Sequence, residues 1–308
     1  MGIEQQRHEI EQAFATVHGG GTNHVDEEPW PVKTCGHLRG RADCSVAMRF
    51  SPLSTCVLSV AGLLASGCAP ESHGQDAGNV DGGEVLDGGW RPLFNGVDLT
   101  GWRRYLGVPG PDAGPLGFEN DPNRVYSVLM EDGEPAIHIS GEVWGSLVST
   151  EEYGDFELEA EFKWGTHVYP PLDAFDSGLM YFSHGPPGAV NAGGPALADP
   201  IGSGAFLVSM EYQIAPGDVG ALDNLGPINF APGARVHAPE RAGWNSICIV
   251  VSAGMATHFL NGQETASGSG FTSAWPGMPE APLLRGTLQL QSEGGEIFFR
   301  RLRIRPLR

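Results

Sequence analysis

The sequence predicts an all-β domain of two packed antiparallel sheets, a sandwich or jelly roll. Three observations carry that expectation. From residue 90 onward, polar and apolar residues alternate along several short runs, the period of a half-buried strand. Turn signals separate those runs, and no amphipathic helical stretch of about 10–15 residues stands between them. Finally, 45 glycines and 24 prolines in 308 residues favour turns over long helices.

The strands follow in chain order. Ala136-Ile137-His138-Ile139 is a short strand after the turn at Asp132-Gly133. The run 157–164 alternates Glu157, Glu159, Glu161 and Lys163 with Leu158, Ala160, Phe162 and Trp164. Over 206–214, Met210, Tyr212 and Ile214 take one face while Glu211 and Gln213 take the other. The runs 244–251 and 255–262 read as a hairpin, with turns at Ala253-Gly254 and Asn261-Gly262. Strands over 286–291 and 297–304 close the chain. About 219 residues suits one β domain, since such domains often run 200–250 residues.

The first ninety residues do not belong to that pattern. Met48-Arg49-Phe50 is a short basic start, and 52–65 is mostly apolar. Ala65-Ser66-Gly67-Cys68 follows, the small residues that precede a signal cut. The apolar stretch is shorter than the roughly 20 residues a membrane span needs. The small-small-Cys ending resembles a bacterial lipobox, with Ala65 three places before the cysteine. The expected organisation is therefore an over-extended N-terminus over 1–47, with translation starting at Met48, and a lipoprotein signal peptide over 48–67. A flexible Gly/Asp-rich tether over 68–89 and a β domain over 90–308 complete it. Cys68 would carry lipid, making the protein an exported bacterial lipoprotein in the periplasm or at the cell surface, held at the outer membrane.

Charge excludes one class of partner. The chain has 37 acidic and 18 basic residues, a net charge of −19. Nucleic acid needs a basic face, so it is not an expected partner. No GxSxG or HExxH motif occurs. The scattered His, Asp and Glu residues define no metal set, and a divalent metal ion as cofactor stays open.

Several segments together resemble one family. Phe94-Asn95-Gly96 through Gly101-Trp102 resembles its opening signature. Val143-Trp144-Gly145-Ser146-Leu147 and 156–165, ending in Lys163-Trp164-Gly165, follow. Asp176-Ser177-Gly178-Leu179, Met210-Glu211-Tyr212-Gln213-Ile214 and Gly243-Trp244-Asn245 come next. Leu288-Gln289-Leu290-Gln291 and Ile297-Phe298-Phe299-Arg300 complete the order. The family is the 3-keto-disaccharide hydrolases, and the match covers about residues 90–308. The resemblance implies a concanavalin A-like jelly-roll sandwich acting on glycosides already oxidised at C3 of the sugar. A base would remove the C2 proton and the C1 substituent would leave by β-elimination. Water would then add, for net hydrolysis.

Such chemistry needs a base, an enolate stabiliser and a proton donor. Glu211 is the expected base, unless its strand face is simply exposed. Gln213, on the same face, is expected to bind substrate. Lys163, one of only two lysines, would stabilise the enolate or instead form a surface ion pair. His184 is the expected third catalytic group. Asp176, Trp144, Gln291 and Arg300 are expected to bind the sugar. Glu157-x-Glu159-x-Glu161 also matches the spacing of paired glycosidase carboxylates, a weaker alternative. The function expected is an exported, lipid-anchored enzyme cleaving 3-keto-glycosides. The rival is a non-catalytic carbohydrate-binding surface lipoprotein.

Overall fold

The computed structural model describes residues 87–110, 113–170, 172–185, 205–273 and 279–307. The expected N-terminal extension, the signal peptide with Cys68, and the tether as far as residue 86 lie outside them. The described residues form the expected all-β sandwich of two antiparallel sheets. Their only helical element is a 3-10 turn at Asp87–Gly89.

One sheet has ten strands. Its path is β11 (Ile228–Arg235), β14 (Gln263–Ser273), β13 (Met255–Leu260), β12 (Asn245–Ser252), β7 (Phe156–Val168), β17 (Gly295–Pro306), β5 (Glu134–Ile139) and β4 (Tyr126–Glu131). Off that path, β1 (Arg91–Pro92) pairs with β17 and β15 (Ala281–Pro282) with β14. The seven-stranded sheet runs β10 (Leu222–Leu225), β9 (Val208–Ile214), β8 (Ser177–His184), β16 (Gly286–Ser292), β6 (Gly145–Tyr153), β2 (Trp102–Leu106) and β3 (Gly117–Phe118).

Period-2 alternation decides which residues lie between the sheets. From β7, Phe156, Leu158, Ala160 and Phe162 enter the core; from β9, Val208, Met210, Tyr212 and Ile214 do. Each of the larger of these side chains is worth roughly 1.5–3 kcal/mol when buried, so slipping either strand by one residue would be prohibitive. The expected hairpin forms between β12 and β13, with positive φ at Ala253 (50°) and Gly254 (74°). The β13–β14 turn does the same at Asn261 (53°) and Gly262 (81°). Paired positive φ values are what a two-residue turn between twisted strands requires. Inside the core, the His258 ring sits 3.1 Å from the Tyr181 hydroxyl, and burial lowers its pKa to about 4.

The outer face of the ten-stranded sheet carries the acidic row of β7. Register places Glu157 across from Arg305, Glu159 across from Arg303 and Glu161 across from Arg300. Each pair is joined: Arg303 Nε donates to Glu159 at 2.7 Å and Arg300 Nε to Glu161 at 2.6 Å. Arg305 Nε donates to Glu157 at 2.7 Å. The Trp90 ring lies 4.6 Å from Arg303 and 4.8 Å from Arg305, and Trp244 lies 3.9 Å from Arg300. Lys163 ends the row, bonded to Glu131 (2.5 Å) and Asp132 (2.8 Å) of the β4–β5 turn. This cross-strand ladder accounts for Glu157, Glu159 and Glu161 as ion-pair partners rather than a glycosidase carboxylate set.

Candidate active site

Glu211 lies on the outer face of the other sheet. Its neighbours Met210 and Tyr212 face the core, so its carboxyl points away from the ladder, with both sheets between. Register then defines two rows across the seven-stranded sheet. In one, Gln213 pairs with Gly178, and Gln291 with Ser146. In the other, Asp223 pairs with Glu211, Glu211 with Met180, and Met180 with Gln289. The first row is polar because alternate residues of β9 and β16 are glutamine or glutamate. The second mixes acid, thioether and amide.

Gly178 makes the rows fit. A Cβ there would stand 2.1 Å from Glu211 Oε1 and 3.0 Å from Gln291 Oε1. Both side chains therefore converge over the bare backbone of β8. The segment 205–207 then crosses this face. Ser146 Oγ donates to the Ala205 carbonyl at 2.8 Å, and Leu207 N donates to Gln289 Oε1 at 3.1 Å. Gln289 Nε2 in turn donates to Ser183 Oγ at 2.8 Å. Phe206, Ala205 and Met180 form a small apolar cluster separate from the main core, with Trp144 and Leu225 packed against it. The Trp144 and Phe206 rings stack with centroids 6.2 Å apart. Covered in this way, Glu211 is only 4% exposed although it lies outside the sandwich.

Among the described residues, six buried side-chain polar atoms have no hydrogen-bond partner. Four belong here: Glu211 Oε1, Gln291 Oε1, Asp176 Oδ1 and Trp144 Nε1. Buried polar groups are normally paired, so four in one place mark a site shaped for something else to bond them. Electrostatics agree. Desolvation raises the Glu211 pKa to about 8, and the charges of Asp176 and Asp223 push the same way. Asp176 is raised to about 6 by burial, against a hydrogen bond from the Ser177 backbone. Two carboxyl groups with separated, raised values are what acid–base chemistry uses.

The structure thus brings together five of the expected residues: Glu211, Gln213, Asp176, Trp144 and Gln291. Three others do not join them. Lys163 and Arg300 belong to the ladder on the opposite sheet, because alternation on β7 and β17 turns them outward there. The structure thus sets Lys163, expected as a catalytic group, and Arg300, expected to bind the sugar, on the face away from Glu211. His184, at the end of β8, turns to the ten-stranded sheet, its Nε2 2.8 Å from Ser273 Oγ. A backbone irregularity at Phe182, with φ of 53°, precedes it and resets the alternation. That contact places the ring on the side of the ten-stranded sheet rather than beside Glu211. Gln213 keeps its face but spends its Oε1 on the Ile214 N–H at 2.8 Å. Asp223, Gly178, Met180, Gln289 and Phe206 are site residues that sequence reasoning missed. Asp-Ser-Gly and Leu-Gln-Leu-Gln were the available signals for Gly178 and Gln289. Among the described residues no group of three or more His, Cys, Asp or Glu is arranged to hold a metal ion.

Comparison with known proteins adds the following. The sequence profile of the 3-keto-alpha-glucoside-1,2-lyase-like domain matches residues 89–305. No curated protein matches the chain. Among solved structures, a candidate glycosyl hydrolase of Parabacteroides distasonis is 21% identical, covering 74% of this chain and 100% of its own, with a TM-score of 0.44. The carbohydrate-binding module CBM66 of Bacillus subtilis is 9% identical over 58% of this chain and 91% of its own, at 0.36. The Bacillus licheniformis β-glucanase is 10% identical over 71% and 97%, at 0.33.

Proposed function

The chain belongs to the 3-keto-alpha-glucoside-1,2-lyase-like family, and from that premise we propose that it cleaves glycosides carrying a ketone at C3 of the sugar. The ketone acidifies the C2–H bond. A base takes that proton and the electron pair becomes an enolate. The enolate collapses to a C1=C2 double bond as the C1–O bond breaks, and the departing oxygen takes a proton. Water adding across the double bond makes the net reaction a hydrolysis.

The observation that carries this reading is the convergence of a buried carboxyl group, Glu211, and a half-buried one, Asp176, each with an oxygen that no protein group bonds. Burial raises Glu211 further than Asp176, to about 8 against about 6, which favours the proton on Glu211. Asp176 is then the ionised member and takes the C2 proton. Glu211 is the protonated member and delivers its proton to the leaving oxygen. This moves the base from Glu211, where sequence alone put it, to Asp176. Gln291 and Gln213 supply amides for sugar hydroxyls.

The test is to incubate the full chain with a 3-keto-glucoside and with the parent glucoside. Consumption of the keto form alone, lost in both Glu211→Gln and Asp176→Asn, supports the reading. Tight binding of the plain glycan without turnover of either sugar would replace it with the binding-module reading. Export and a lipid on Cys68 remain part of the proposal on sequence grounds. Labelling of the wild type but not Cys68→Ser with a radioactive fatty acid tests them.

A further inference from the structure

We propose that the Trp144 indole N–H is the hydrogen-bond donor to the C3 carbonyl oxygen of the substrate, and to the enolate oxygen formed from it. The inference rests on the reading above, that the substrate is a 3-keto-glycoside.

The four unpartnered atoms of the site are not alike. Glu211 Oε1, Gln291 Oε1 and Asp176 Oδ1 are oxygens; Trp144 Nε1 is a nitrogen that can only donate. Trp144 is only partly buried, but its Nε1 is out of solvent, and an indole N–H in that position normally finds a partner. Sugar hydroxyls can serve the three oxygens by donating to them. A ketone or enolate oxygen can only accept, so it matches the one group that can only donate.

Elimination points the same way. An enolate needs a stabiliser; ionised Asp176 repels it, and the Glu211 proton is committed to the leaving oxygen. Lys163 and Arg300 are committed to the ladder on the opposite sheet. Arg103 shares the face with Glu211 but sits on β2, four strand spacings or roughly 19 Å from β9. There its guanidinium lies 3.9 Å from the Phe118 ring. With those three cations placed elsewhere among the described residues, a neutral donor suits the task, and Trp144 is held ready for it. Its ring stacks on Phe206, and its carbonyl accepts from Gly107 N at 2.8 Å. Ser146, two residues on and on the same face, pairs with Gln291 in the β6–β16 register. A donor fixed before the charge develops gives the most stabilisation.

Trp144→Phe removes the N–H and keeps a ring against Phe206. With a 3-keto-glucoside as substrate, kcat should fall about 100- to 1,000-fold with little change in KM, the loss seen when one oxyanion donor is removed. Wild-type kcat in this variant would overturn the proposal. A second measurement needs no turnover. The probes are 1,5-anhydroglucitol and its 3-keto derivative, which lacks an exocyclic leaving group at C1. Wild type should bind the keto probe more tightly and shift the Trp144 indole proton downfield in NMR; Trp144→Phe should bind both equally. If wild type turns over no 3-keto-glycoside, the functional reading fails. The probe pair then decides on Trp144 alone, and equal binding of both probes by wild type refutes its role.

Discussion

Replacing Glu211 by glutamine should stabilise the protein in alkaline solution while abolishing turnover. The carboxyl is raised from its ordinary 4.5 to about 8, first by burial and then by Asp176 and Asp223. The sign follows from which state holds the proton. Below about pH 4.5 the group is protonated folded and unfolded alike, and costs nothing. As pH rises toward 8 the unfolded chain ionises freely while the folded chain is kept neutral, so stability is lost over that window. At about 1.4 kcal/mol per tenfold, the full loss is about 5 kcal/mol. Integrated, it is roughly 1 kcal/mol at pH 5 and between about 4 and 5 kcal/mol at pH 9. Glutamine has the same shape and does not titrate, so the variant escapes the loss. Denaturant unfolding of both proteins from pH 5 to 9 measures the gap. His258, neutral in the core, loses stability on acidification but does so equally in both proteins. The gap should widen by about 4 kcal/mol across the range. A gap that stays constant, or a wild type more stable at pH 9, would refute the claim that this carboxyl is buried at a cost.

Other outcomes follow from the same geometry. The value of kcat/KM should trace a bell with limbs near pH 6 and 8, because Asp176 must be ionised and Glu211 protonated; Asp176→Asn should lose the acid limb with most of the rate. Gly178→Ala would put a methyl group 2.1 Å from Glu211 Oε1, so turnover should fall about 100-fold while the near-ultraviolet circular dichroism is kept. Lys163→Met breaks partly exposed pairs with Glu131 and Asp132 on the far sheet, so kcat should hold and stability should fall by at most about 1 kcal/mol in urea unfolding.

The sandwich was legible because burial writes itself into alternation. The runs on β7 and β9 announced both their strands and the faces of Glu211 and Lys163. What alternation cannot say is which way a face points once two sheets are stacked. Lys163 and Glu211 both read as outward, and only the topology shows that the two outward directions are opposite. Arg300 likewise needed the β7–β17 register, which pairs residues 139 apart in sequence. His184 failed for a local reason, the irregularity at Phe182. Strand β14 was not expected, because Thr265-Ala266-Ser267-Gly268-Ser269-Gly270 lacks the large apolar residues that mark a strand. Asp223 and Phe206 enter the site through pairing and through a segment folded across the sheet, and neither has a sequence signature.

Arg91 lies across from Ile304 and Pro92 across from Arg303, so the first and last strands of the domain run antiparallel and its two ends emerge side by side. Tension applied between them loads this two-residue pair one hydrogen bond at a time, as a zipper does, instead of loading many bonds at once in shear. Trp90 would then be drawn off the guanidinium groups of Arg303 and Arg305, and the end of β17 off Phe156 and Glu157 of β7. The carboxyl site, carried on the other sheet, has its register untouched by that first step. A protein held by one end and pulled by the other would thus yield at its seam while its chemistry stayed assembled.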